Sequence, residues 1–293
     1  HRARAPGPAR GRAIAVPGAP SAETVALADA VRGGEIRAVA RAISIVEDGR
    51  PEAAALLALL FPHAGRAAVF GVTGPPGSGK STLVDRMTAH LRARGRTVGI
   101  VAVDPTSPYT GGAILGDRIR MQAHALDDGV FIRSMATRGH LGGLAAATSH
   151  VLTILSAAGK DVIIVETVGV GQDEVDIVGA ADVSIVVLVP GLGDEVQALK
   201  AGIMEIADVF VVNKADREGV DRVVAEIESM LSLAPHDAER PAIVKTVATV
   251  DRGVDELLAA VCDAVLGGTA MQPIGTEAIV EVVDKFDVSQ PQG

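Results

Sequence analysis

One nine-residue segment does most to limit what this chain can fold into: Gly74-Pro75-Pro76-Gly77-Ser78-Gly79-Lys80-Ser81-Thr82, directly after the β-rich run 67–73 and directly before a helical pattern over 80–94. Its glycines let successive backbone N–H groups turn inward around an anion, while the helix that follows aims its positive end at the same point. A glycine, four residues and then Gly-Lys-Ser, placed between a strand and a helix, is a phosphate loop. All nine residues are therefore candidate nucleotide contacts. Lys80 is expected to bridge the outer phosphates as a catalytic charge, and the Ser81 hydroxyl to hold Mg²⁺.

The rest of the chain alternates in the same manner. Val- and Ile-rich runs at 67–73, 97–104, 130–133, 161–166, 183–189, 208–213 and 242–246 are the near-continuous apolar stretches of strands buried on both faces. Helical patterns fall between them at 80–94, 114–125, 141–158, 195–206, 220–233 and 254–265. Alternating strand and helix predicts an α/β fold, a P-loop NTPase with a doubly wound, mostly parallel sheet flanked by helices. Before it, Ser21 with Glu23 opens a capped helix ending at Gly33-Gly34; a second helix follows over 35–47, and a third over 51–60 with Pro51 in its first turn. The expected organisation is a solvated Arg- and Pro-rich tail over 1–20, a helical extension over 21–64, the nucleotide-binding domain over 65–267, and a short C-terminal segment over 268–293.

Charge and composition narrow the function. Thirty-six acidic against 27 basic residues give a net charge of -9, and aromatics are 2% of the chain, so neither a phosphate-backbone footprint nor a base-stacking platform is present. Nucleic acid is not an expected partner. No apolar run reaches the roughly 18–20 residues that a bilayer span requires, so no membrane is expected either. The one cysteine, Cys262, permits no intrachain disulfide and no thiolate metal cluster, and a reducing cytoplasm is the simplest setting. Its place in a late helix suits a small buried apolar residue.

A second motif, Asn213-Lys214-Ala215-Asp216, ends another apolar run and contains the only asparagine in the chain. An Asp carboxylate there can accept the two adjacent N–H groups on a guanine edge, a donor pair that adenine lacks. The expected ligands are GTP and GDP. Between the two motifs three acids stand at strand ends or in Gly-rich loops and suit a hard-oxygen Mg²⁺ site: Asp104, Asp117 and Glu166, the last in the place of the metal-holding acid after a Walker-B strand. Ordinary turn capping is the competing role for each. His140 and the arginines 118, 120, 133 and 138 fall near a candidate switch, where a solvated or partner-facing surface competes with a role on the transition state.

Together Asp104-Pro-Thr-Ser-Pro108, Thr110 to Arg118, Glu166-Thr-Val-Gly-Val-Gly-Gln172, Gly193-Asp194, Lys200 to Asp208 and Asn213-Lys-Ala-Asp216 resemble the MeaB/ArgK GTPases, a likeness that runs from about Ala22 to Leu258. The family has also carried the name lysine/arginine/ornithine transport kinase. The resemblance implies a GTPase that chaperones an adenosylcobalamin-dependent acyl-CoA mutase, chiefly methylmalonyl-CoA mutase, by gating cofactor loading and protecting the mutase. It also implies that Ser81, Asp104, Asp117 and Glu166 surround Mg²⁺, with Asp104 or Asp117 orienting water, and that loops 105–116, 168–173 and 190–200 are switches. Thr246-Val247-Ala248 stands where the family often has a Ser-Ala pair for the guanine ring. A homodimer is implied too, although the stretch after Gly267 shows no counterpart of the family's long helical arm. A metal-delivering GTPase and a small-molecule kinase are the alternatives; the first would need a Cys or His metal pair near the switches.

Overall fold

The apolar runs form seven strands: β1 (Ala68–Thr73), β2 (Val98–Asp104), β3 (Val130–Ala136), β4 (Val162–Thr167), β5 (Val183–Leu188), β6 (Val209–Val212) and β7 (Ala242–Lys245). They make one sheet, parallel at every pairing, in the order β3-β2-β4-β1-β5-β6-β7. The structure is a computed structural model, and it describes residues 20–104, 124, 126–136, 143–167, 178, 181–191, 206–232 and 240–267. The central strand β1 has β4 on one side and β5 on the other, so the winding direction reverses beside it. That switch point is where open α/β sheets bind ligands, outside the carboxyl ends of the strands, and the phosphate loop leaves β1 there.

Seven α-helices are described: α1 (Ala22–Arg32), α2 (Ile36–Glu47), α3 (Ala53–Leu60), α4 (Lys80–Ala93), α5 (Gly143–Ala157), α6 (Val220–Leu231) and α7 (Val254–Gly267). Side chains alternate along a strand, so each strand feeds two cores. Phe70, Val72, Ile100, Ile164, Ile185 and Val211 face α4 and α7. The intervening residues face the other way: Val101, Val103, Ile163 and Val165 pack under α1, α2, α3 and α5, while Val186, Leu188, Phe210 and Val212 pack under α6. The helical extension is thus a layer of the same molecule, closed over Ile43, Leu56 and Leu60, all fully buried.

Several boundaries differ from the sequence expectation for identifiable reasons. Ser21 caps α1 as expected, its Oγ accepting the Thr24 N–H at 3.1 Å. The third helix begins at Ala53, so Pro51 sits in the turn before it and not in its first turn. β3 continues three residues past Arg133, because the guanidinium is not a terminator: it donates to Glu47 Oε2 and, at 3.3 Å, to Ser44 Oγ on α2. Arg133 therefore anchors the helical layer to the edge strand and is not a solvated or phosphate-directed charge. The expected helices over 114–125 and 195–206 and the segment after Gly267 lie almost wholly outside the described residues. Among the described residues no helix is long and apolar enough to cross a membrane.

Candidate functional site

The loop between β1 and α4 is built from residues that only this sequence order allows. Gly74, Gly77 and Gly79 take φ of 143°, 76° and 92°, a region that side chains disfavour. At Gly74 the reason is also spatial, since a Cβ would collide with the Val187 carbonyl of β5. Gly79 is the N-cap of α4, and no side chain caps the helix, so its first-turn N–H groups are held ready for an external anion. Buried Ser78 Oγ has no hydrogen-bond partner among the described residues. A buried hydroxyl without a partner is costly unless a ligand completes it.

Lys80, 6% exposed, folds back over the loop and donates from Nζ to the carbonyls of Gly74 at 2.7 Å and Pro75 at 3.0 Å. The next residue, Ser81, donates from Oγ to Glu166 Oε1 at 2.6 Å. Glu166 is buried near the end of β4, level with Val72 of β1, and so reaches the start of α4. A hydroxyl and a carboxylate in contact beside a phosphate-binding loop are the hard oxygen donors that Mg²⁺ takes. The geometry thus brings Ser81 and Glu166 together. Asp104 closes β2 opposite Ala136. Asp117, His140, the arginines 118, 120 and 138, and most of the candidate switch loops lie outside the described residues.

The second motif docks onto the first. Buried Asn213 donates from Nδ2 to the Ser78 carbonyl at 2.9 Å, and its Oδ1 accepts from Thr246 Oγ1 at 3.0 Å and from the Ala248 N–H at 3.2 Å. Asn213 is thus a bracket between the phosphate loop and the turn 246–248, with its amide oxygen and one of its two N–H donors used inside the protein. Lys214, at φ 56°, donates from Nζ to the Gly77 carbonyl at 2.7 Å, and the Ala215 N–H reaches the Thr246 carbonyl at 2.9 Å. Asp216 is left exposed on this framework, where its carboxylate can accept from a ligand. The Thr246 hydroxyl is used inside the protein, on Asn213.

Two features were not found from the sequence. Thr73, before the phosphate loop, shares a 3.0 Å hydroxyl contact with Thr167 at the end of β4, which ties the starts of two functional loops together. The signal was weak: one threonine at each strand end. The other is a clamp behind the site. His90 on α4 meets Asp251 through Nε2 and Asp255 through Nδ1, each at 2.8 Å, and Arg94 also reaches Asp255 at 2.8 Å. Burial pulls the His90 pKa down, but the two carboxylate hydrogen bonds and their charge outweigh it and leave it raised above 6.5. Asp255 is held below 3.8, chiefly by Arg94 and then by His90.

A group whose pKa rises on folding stabilises fully below its unfolded value and loses that contribution as pH climbs through its folded value. Asp255 behaves oppositely, losing its contribution as pH falls through its lowered value. The clamp is therefore strongest between about pH 4 and 6.5. The unfolding midpoint should fall by a few degrees as pH passes from 6 to 8.5, and calorimetry of His90→Phe should show a flatter profile over that range. Cys262 offers no chemistry here: burial, aided by Asp263, pushes its thiol up to about 11, so it stays protonated at neutral pH.

The family model described as methylmalonyl Co-A mutase-associated GTPase MeaB matches residues 39–274. The chain belongs to the MeaB family. Similar proteins include one from Pyrococcus horikoshii, 55% identical over 235 residues that span 79% of this chain and 74% of its own. GTPase ArgK of Escherichia coli K12 is 37% identical over 267 residues, 87% of this chain and 81% of its own. A crystal structure titled LAO/AO transport system kinase aligns with a TM-score of 0.70 at 29% identity, over 91% of this chain and 81% of that one. Helicobacter pylori HypB, solved in complex with nickel, shares the fold alone, with a TM-score of 0.51 at 17% identity over 78% of this chain and 99% of its own. This chain is accordingly a MeaB-family GTPase with the P-loop GTPase fold, and the bracket centred on Asn213 is how it assembles its two nucleotide motifs.

Proposed function

We propose that this GTPase acts as a nucleotide-timed chaperone for an adenosylcobalamin-dependent acyl-CoA mutase such as methylmalonyl-CoA mutase, gating cofactor loading and protecting the mutase. The family description, which names the mutase, supports the partner. The observation that carries the switch is the Ser81–Glu166 contact beside Lys80, because it joins the phosphate loop to the strand that leads into loop 168–173. Hydrolysis is then read out where the loop begins.

In the proposed mechanism the N–H groups of Gly74, Gly77, Ser78 and Gly79 and of the first turn of α4 bind the phosphates, with Pro75, Pro76 and Thr82 shaping the cradle. Lys80 leaves the Gly74 and Pro75 carbonyls and places its charge on the β–γ oxygens. Ser81 and Glu166, together with Asp104 and Asp117, would hold Mg²⁺, which would supply charge neutralisation at the phosphates. Asp104 or Asp117 orients a water for in-line attack on the γ-phosphorus. The bond to the β–γ bridging oxygen breaks, its electron pair leaves with GDP, and the water's proton departs with phosphate. Asp216 accepts the guanine N–H pair, with Lys214 and residues 246–248 forming the walls around the base.

Two measurements check this reading. Ser81→Ala should need roughly 10- to 100-fold more Mg²⁺ for half-maximal GTP turnover; an unchanged requirement removes Ser81 from the metal site. Adding a purified adenosylcobalamin mutase should change GDP affinity or GTP turnover at least about fivefold, the scale of a real coupling free energy. No change in either, with a mutase that binds its cofactor normally, overturns the chaperone assignment and leaves the GTPase.

A further inference from the structure

The face of the sheet that carries two apolar clusters has a seam between them. α1, α2, α3 and α5 cover β2, β3 and β4, whereas α6 covers β5 and β6, and β1 runs between the two groups. Gly71 is roofed by Val178 and Ala181. Val69, two residues earlier on the same face, stays partly exposed. That is unusual for a central strand of a parallel sheet, which is normally covered on both faces.

Above Val69 lies a cavity of about 630 Å³, walled by Leu57 and Phe61 of the helical layer, Ala67, Leu152 of α5, and Asp182 just before β5. The volume lies within the range of small-molecule sites. It sits at the amino ends of the strands, opposite the nucleotide site. Phe61, 56% exposed at the rim, is apolar surface that the fold leaves unspent.

Most polar groups of the wall are committed. Ser156 Oγ accepts the N–H groups of Gly65 at 2.8 Å and Arg66 at 3.2 Å, and Thr153 Oγ1 donates to the Ser149 carbonyl at 3.0 Å. Asp182 is different. Its Oδ2 accepts the Val69 N–H at 2.8 Å, but Oδ1 has no hydrogen bond among the described residues. No Lys or Arg is among the cavity's described lining residues. Burial pushes the Asp182 carboxyl pKa up despite the Val69 N–H, so its ionised form is short of solvation. The wall thus offers hydrocarbon and one half-used carboxylate, with Ser149 and the His150 imidazole also among its lining residues.

We propose that this cavity binds a small organic cation, an ammonium group on an apolar body, with Asp182 Oδ1 accepting from the ammonium and Leu57, Phe61, Val69 and Leu152 covering the hydrocarbon. The site is independent of the nucleotide reading. A charge-assisted hydrogen bond in a partly desolvated pocket gives the preference for cation over neutral isostere.

Phenethylammonium and its neutral counterpart, phenethyl alcohol, are the probes, titrated into the full chain while the alanine and leucine methyl resonances are followed by NMR. The ammonium should bind with Kd on the order of 1 mM, as nine heavy atoms allow, and about tenfold tighter than the alcohol. Asp182→Asn keeps an acceptor for Val69 N–H and should erase that tenfold preference while leaving the alcohol unchanged. Thr153→Phe, which fills the cavity, should abolish binding of both probes, with GTP turnover of both variants as a check that they fold. Equal binding of the two probes, an unchanged preference in Asp182→Asn, methyl shifts away from the cavity, or no shift with either probe overturns the proposal.

Discussion

Lys80→Ala should lower single-turnover GTP hydrolysis by about 10²–10³-fold, the cost of removing one preorganised charge donor from a transition state. The effect should fall mainly on the chemical step. Lys80 is already buried at the loop, with Nζ 2.7 Å from the Gly74 carbonyl, so ordering it costs little when substrate arrives. Its stabilisation grows as charge develops on the β–γ bridge, which places it in kcat more than in KM. Lys80→Arg should not rescue, because a bulky planar guanidinium cannot replace a compact ammonium point charge between the loop and the β–γ oxygens. Rapid-quench kinetics with saturating GTP measures this directly, and a loss below about tenfold would remove Lys80 from the role assigned to it.

Asn213→Ala should be the most damaging change to the architecture. It leaves three buried groups without their partner: the Ser78 carbonyl, the Thr246 hydroxyl and the Ala248 N–H. Each unsatisfied group costs about 1–3 kcal/mol, and the three share one bracket, so their sum is not additive. A total of roughly 3–5 kcal/mol corresponds to an unfolding midpoint lower by on the order of 10 °C. Guanine nucleotide affinity should fall at least about 100-fold, since the phosphate loop and the base-binding turn lose their common support. Thr246→Val, which removes one of the three bonds, should cost only about 1 kcal/mol. Calorimetric unfolding and nucleotide titration of the two variants separate a bracket from a single hydrogen bond. Equal losses in Asn213→Ala and Thr246→Val would contradict the bracket.

The parts of this molecule legible in its sequence are those with local signatures. The phosphate loop declares itself because the backbone conformations of Gly74, Gly77 and Gly79 need glycine at those positions. Val- and Ile-rich runs between helical patterns announced a parallel, doubly wound sheet, because both faces of each strand are buried. What stayed hidden depends on partners distant in the chain. Asn213 reads locally as one residue of a nucleotide-binding motif; that its amide also holds Ser78, 135 positions away, is encoded by no local pattern. Arg133 looks like the end of a strand until Glu47, 86 positions earlier, is seen to hold it. Thr73 and Thr167 carry no sequence flag because a hydroxyl pair needs only register between β1 and β4. The cavity over Val69 has the same origin: it is a gap between helical layers, and gaps are properties of packing.

The most direct test of the central claim, that this site selects guanine nucleotide through Asp216, is calorimetric titration of GDP, ADP and xanthosine diphosphate with Mg²⁺ into the wild type and Asp216→Asn. Asp216 is exposed, so the substitution leaves the fold intact. The wild type should bind GDP and not ADP. In the variant an amide N–H replaces a carboxylate acceptor, so GDP binding should fall at least about 100-fold, while xanthine, which carries an oxygen where guanine carries its amino group, gains. ADP binding as tight as GDP in the wild type, or GDP affinity unchanged in Asp216→Asn, would contradict the assignment.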